Sequence, residues 1–228
     1  MKKIAAIALA TAISGASLSA QDDSSYSITM DFPYVSDYVF RGVQFAEESI
    51  QPSIEFATGD FYAGIWTSNP VTDTAVANEF DFYLGYGWAL NDAWSLDAGA
   101  TYYYYPETPS GDEQFEPFVG LAGDFGGGFS GSAYYFYETE FEVSTFQFDL
   151  GYSMEMSDTS TFDIAGNFGF VSADGGGDYN YYGVSATLNY AINDVAGSYF
   201  GIVYADNDIG GGAADEFTYF IAGISMGF

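Results

Sequence analysis

The stretch Phe80-Asp81-Phe82-Tyr83-Leu84-Gly85-Tyr86-Gly87-Trp88 decides the fold class. Large apolar side chains take every second position, with Asp81, Tyr83, Gly85 and Gly87 between them. A period of two sorts side chains onto two faces only if the chain is an extended strand. Working outward, the same alternation returns in Trp94, Leu96, Ala98, Ala100 and Tyr102, set against Ser95, Asp97, Gly99 and Thr101. It recurs in Phe146, Phe148, Leu150, Tyr152 and Met154, and again in Tyr182, Val184, Ala186, Leu188 and Tyr190. No stretch of useful length carries a helical stripe.

The pattern predicts twelve strands, over about 25–41, 48–57, 60–68, 78–89, 94–105, 113–123, 129–138, 143–155, 161–171, 180–190, 198–206 and 216–228. Most alternate connections are short turns, and the others (69–77, 106–112, 172–179, 207–215) are longer and rich in Asp, Gly, Pro or Thr. Short turns on one rim and longer loops on the other describe an all-β, single antiparallel transmembrane barrel of about twelve strands. No composition break argues for a second domain within 21–228.

Residues 1–20 read as a secretory signal peptide, removed after Ala20, with Ala16 as the rival cleavage site. Lys2 and Lys3 precede an Ala-rich apolar run over 4–13 and then small residues. That run is too short to span a hydrocarbon core of about 30 Å as a helix. Export leaves Arg41 as the one base against 32 acids, in a chain without His or Cys. Nucleic-acid binding, which needs Lys and Arg to displace phosphate counterions, is excluded. So are His-dependent catalysis, disulfides and thiolate metal sites. Disorder is the usual fate of so acidic a chain, but 22 Phe, 21 Tyr and 3 Trp argue for a folded one.

Periodicity alone does not say which face is inside. A soluble barrel turns its apolar face inward, a membrane barrel outward. Three features favour the membrane. Acids stand on the polar face in mid-strand, at Asp31, Glu55, Asp81, Asp97, Glu116, Asp149 and Asp163, as a water-facing wall tolerates. Aromatics gather near strand ends, at Trp66, Trp88, Trp94, Tyr102 to Tyr105, Tyr134, Tyr135, Tyr137, Tyr181 and Tyr182, as interfacial girdles do. The chain ends on Phe228, with Met226, Ile224, Ala222 and Phe220 alternating behind it. Such an ending is similar to that of outer-membrane barrels, and implies recognition by the barrel-assembly machinery.

At Ser36-Asp37-Tyr38-Val39-Phe40-Arg41-Gly42-Val43 the chain resembles the TorF-like porin family of Gram-negative bacteria. The likeness continues through Ser49-Ile50-Gln51-Pro52, residues 59–69, Glu79 to Tyr86 and Tyr103-Tyr104-Tyr105-Pro106. The resemblance implies an outer-membrane barrel to which a pore function is assigned by inference, without a substrate. Scarcity of Lys and Arg departs from that family and weakens any idea of a charge-paired constriction.

Together these readings predict an outer-membrane channel for passive diffusion of small solutes, cation-preferring, with no cofactor, resident metal or catalytic group. The seven acids are the pore-lining candidates. Arg41 is a rim or constriction candidate, expected to face Asp37, Glu47 or Glu48 and more readily explained as a structural ion pair. Phe220, Ala222, Ile224, Met226 and Phe228 form the assembly signal. Expected partners are outer-membrane lipids, the assembly machinery and small solutes or cations, with homo-oligomerisation left open. The acidic loop segments 174–178 and 206–208 read first as solvated loops rather than Ca²⁺ sites. The competing reading is a non-conducting barrel for adhesion or envelope structure.

Overall fold

The computed structural model describes residues 26–72, 76–108, 113–210 and 215–228; the proposed signal peptide lies outside the described residues. All regular structure there is β. Strand β1 (Ser27–Val35) climbs to the long-loop rim, where a separate hairpin follows, β2 (Tyr38–Phe40) and β3 (Val43–Ala46). The chain returns as β4 (Ser49–Ile50) and β5 (Ser53–Thr58), then continues as β6 (Phe61–Pro70), β7 (Glu79–Ala89), β8 (Trp94–Tyr104) and β9 (Glu113–Gly126). The last staves are β10 (Phe129–Glu138), β11 (Val143–Ser157), β12 (Ser160–Ala173), β13 (Tyr179–Asn193), β14 (Ala196–Asn207) and β15 (Glu216–Gly227).

Each stave pairs antiparallel with its sequence neighbour, and β15 pairs with β1 to close the sheet on itself. With β4 and β5 taken as one interrupted stave, the barrel has the expected twelve strands. The interruption falls at Gln51-Pro52, where proline has no N–H to give the ladder. Closure removes the unpaired edge that an open sheet would present.

The first predicted strand is corrected. It ends at Val35 rather than continuing to residue 41, because Ser36 ties the chain off against β15. Ser36 N–H donates to Phe220 O at 3.0 Å, and Phe220 N–H donates to Ser36 Oγ at 3.1 Å. The alternation runs on through Tyr38 and Phe40 because the hairpin is itself extended.

The exterior is apolar. Leu84 is 54% exposed, Phe148 53%, Leu150 58% and Ile202 53%, all on outward positions of their staves. So large an apolar surface on a folded chain fits lipid rather than water. Near the turn rim the exterior rings pair off: Tyr86 with Trp88 at 4.8 Å, Phe129 with Tyr152 at 4.6 Å, Trp94 with Phe125 at 5.6 Å. Part of the expected girdle is nevertheless misplaced. Tyr103, Tyr134 and Tyr181 point inward and are almost wholly buried, and Trp66 packs against Tyr38 of the hairpin. Tyrosine is amphipathic, so its presence at a strand end suits a belt or a polar wall equally.

Phe228 seals the barrel. Its N–H donates to Ile28 O, and Ile28 N–H donates to Phe228 O, both at 2.9 Å. Deleting Phe228 removes two closing hydrogen bonds and the terminal ring together. We expect slowed insertion and accumulation outside the membrane; a normal yield of heat-modifiable barrel from the truncated chain would show that the end residue is dispensable.

Candidate functional site

All seven candidate acids lie on the inward face. Sequence parity put them there; what the structure adds is how each is held. Tyr83 on β7 lies across Gly64 on β6 and donates to Glu55 on β5 at 3.2 Å. Tyr134 on β10 crosses Gly120 on β9 and donates to Asp97 on β8 at 3.0 Å. In both rows the three residues are direct register partners. A Cβ on either glycine would overlap the tyrosine ring, so the ring lies flat on the wall only because glycine leaves the space.

The arrangement repeats. Tyr62 crosses Gly85 to reach Asp97 at 3.0 Å, and Tyr199 crosses Gly223 to reach Asp31 at 2.8 Å. Tyr181 crosses Gly169 to reach Gln147, a neutral acceptor, at 2.6 Å. Staves stand about 4.8 Å apart, so each tyrosine bridges two strand spacings and braces the wall sideways. A hydrogen bond to a charged acceptor contributes about 1.5–3 kcal/mol.

The remaining acids are held otherwise. Asp149 accepts from Ser132 at 2.8 Å and from Gln147 at 2.9 Å, and Asp163 accepts from Asn189 at 2.8 Å. Asp81 lies beside Glu79. One oxygen each of Asp81, Asp163, Asn189 and Thr145 is buried with no partner among the described residues, and buried polar atoms of this kind are ordinarily satisfied by water. Four of the seven acids, Asp31, Glu55, Asp97 and Glu116, are thus bonded by tyrosines of the same face.

The partner of Arg41 is what the sequence reading missed. Its expected partners were the nearby Asp37, Glu47 or Glu48; Asp37 instead accepts from Gln44 within the hairpin at 2.7 Å. The hairpin folds into the lumen and carries Arg41 across to Glu116 on β9, 75 residues away. Nη1 donates to Oε2 at 2.7 Å and Nη2 to Oε1 at 2.8 Å, a two-pronged pair matching the planar guanidinium. Tyr103 donates to the same carboxylate at 2.9 Å. The rings of Phe40 and Phe136 each lie 4.7 Å from the guanidinium carbon. Burial acts most strongly against the charge, but Glu116, through its charge and hydrogen bonds, together with Tyr103 and Tyr181 raises the pKa on balance, so Arg41 stays charged.

The turn itself explains the projection. Arg41 (φ 49°) and Gly42 (φ 78°) are both left-handed, as a tight two-residue hairpin loop requires. Gly42 O accepts from Asn207 on β14 at 2.7 Å, and a Cβ at Gly42 would press on Tyr181 and Asn207. Val39 packs with Val203, Ala205 and Tyr219. Sequence reasoning missed the bracing tyrosines and Asn207. The one available signal was Phe40-Arg41-Gly42-Val43, a turn residue between strand formers.

At the opposite rim the interior is open. A recess of about 420 Å³ leads in there, lined by Glu155, Thr161, Asn189, Tyr199 and Ser225 among others. Asp208, in one of the acidic loop segments, accepts from Asn180 N–H at 2.6 Å and from its side-chain amide at 2.9 Å. Those bonds hold its carboxyl below the usual range.

The barrel is similar to solved outer-membrane proteins. A KdgM porin in complex with disordered oligogalacturonate matches at TM-score 0.60 and 12% identity, over 89% of this chain and 99% of that one. The NanC porin matches at TM-score 0.58 and 15% identity, over 87% and 98%. An outer-membrane channel from Pseudomonas putida F1 matches at 0.58 and 8% identity, over 89% and 95%. Identities so low establish a common fold alone. No curated protein sequence matches the chain. The model of a bacterial family described as a protein of unknown function, Gcw_chp, matches residues 19–169, most of the sequence, and the chain belongs to that family.

Proposed function

We propose that the protein is a small outer-membrane channel that passes small cations and neutral solutes by passive diffusion. The observation that carries this reading is the charge of the interior. The seven candidate carboxylates, with Glu79 beside Asp81, face a lumen that holds one base among the described residues, and that base is spent on Glu116. Carboxylates on a low-dielectric wall focus a negative potential that gathers cations and turns anions away. The KdgM porin was solved with oligogalacturonate, an acidic saccharide. The same fold with this wall suits the opposite sign of cargo. The apolar exterior, the signal-like residues 1–20 and the resemblance to TorF-like porins support an outer-membrane place.

Within a Debye length of about 8–10 Å the fields of Asp81, Asp97 and Asp149 overlap across a narrow lumen. Cation permeability should exceed anion permeability, more at low salt than at high. Converting all three to Asn should weaken the preference by removing charge and leave the fold intact, because Asn keeps the size and, at position 97, an acceptor oxygen for Tyr62 and Tyr134. Reversal potentials in a salt gradient measure this; an anion-selective wild type, or a triple variant with unchanged selectivity, would remove these acids from the path.

A second reading is a non-conducting barrel with an adhesion or envelope-structural role. The filled lumen around the hairpin favours it. Absence of conductance steps at any salt, from folded protein with its hairpin removed, would select it.

A further inference from the structure

Hairpin β2–β3 is a two-stranded sheet of its own, with no ladder joining it to the barrel. An isolated hairpin is marginal in water, so its position depends on what its side chains touch. Around it the interior is filled. Ser49 and Thr145 have no exposed surface, Glu116 and Tyr181 are 1% exposed, and Ser68 and Phe136 are 2% exposed; they come from six different staves. The recess at the turn rim shows that the other end is not so packed.

We propose that this hairpin is a displaceable plug, latched by the Arg41–Glu116 pair, and that solutes pass when its tip swings out of the lumen. The proposal rests on the channel reading above and adds its regulation. The root is pinned by the two hydrogen bonds between Ser36 and Phe220, whereas the tip is held by side chains: Glu116 on Arg41, Asn207 on Gly42, and the apolar seat of Val39. The latch is the only ion pair among the described residues. Paired, the guanidinium and carboxylate offset each other's loss of water; separated, each needs solvent again. Removing Glu116 therefore leaves Arg41 stranded and favours the swung-out position, where water reaches it.

The sequence supplies its own reporter. Arg41 is the one Lys or Arg in residues 21–228, so trypsin has a single target there, at the plug tip. The test uses the full barrel in lipid vesicles and planar bilayers, as wild type, Glu116→Ala, and a variant with residues 37–47 replaced by Gly-Gly. Heat-modifiability checks folding of each. Wild type should resist trypsin and open briefly and rarely. Glu116→Ala should be cut after Arg41 at least tenfold faster and stay open at least tenfold longer. The Gly-Gly variant should conduct steadily.

A folded Glu116→Ala barrel as resistant and as quiet as wild type would overturn the latch. Equal steady conductance from wild type and the Gly-Gly variant would overturn the plug while leaving the channel standing. Silence from a folded Gly-Gly variant would remove the channel reading, and the plug with it. Should Glu116→Ala not assemble, wild type against the Gly-Gly variant still decides.

Discussion

Replacing Leu150 with Arg will destabilise the membrane-inserted barrel by about 2–4 kcal/mol, the cost of a cationic side chain on the lipid face near mid-bilayer. Leu150 stands at the centre of β11, 58% exposed, with Gly131 and Gly166 as its cross-strand partners. Neither partner offers a carboxylate to receive the charge. Ser153, three residues along, points inward and is exposed, so Ser153→Arg should change stability by only about 0.5 kcal/mol, as for other solvated positions. Urea unfolding in lipid vesicles, read by the shift from compact to extended band, measures both. A soluble barrel of the same shape would tolerate Arg at an exposed Leu. A Leu150→Arg barrel as stable as wild type would therefore sink the lipid-facing assignment.

The second large effect is expected at Gly120. A Val there would overlap the ring of Tyr134, which lies across this glycine to reach Asp97. Overpacking costs about 1–3 kcal/mol. Displacing the ring also breaks a hydrogen bond to a charged group, about 1.5–3 kcal/mol more. Gly120→Val should thus cost about 2.5–6 kcal/mol and cut the yield of folded barrel sharply. The cause is testable by a double-mutant cycle. With Tyr134→Ala already present, the added cost of Gly120→Val should fall well below its value alone, because the obstructing ring is gone. Strictly additive costs would show that Gly120 and Tyr134 act independently, and the bracing role would be lost.

These two sites mark where reading the sequence succeeds and where it stops. Leu150 was legible. Its neighbours alternate, and a period of two assigns every residue of a strand to one of two faces once a single residue is placed. The same parity set all seven acids inward, eleven of the twelve staves close to their observed bounds, and the closing strand just before Phe228. The Gly120 row was not legible. Parity puts Tyr134, Gly120 and Asp97 on one face, but which residues stand side by side depends on the stagger between neighbouring staves.

What the sequence by itself determined is therefore the strand architecture and the sign of each face, since both follow from local alternation and from a charge balance of one base against 32 acids beyond residue 20. Tertiary structure alone decided three things: which tyrosine meets which acid along the wall, that residues 38–46 turn into the lumen, and that Arg41 meets Glu116. Parity turns Tyr134 inward, but its ring lies flat on the wall and reaches Asp97 only because a glycine stands beside it on the adjacent stave, and that pairing depends on the stagger. Arg41 has acids close by in sequence, yet those reach water, where an ion pair gains little. The buried partner 75 residues away wins because the folded hairpin removes the guanidinium from solvent and leaves Glu116 facing it.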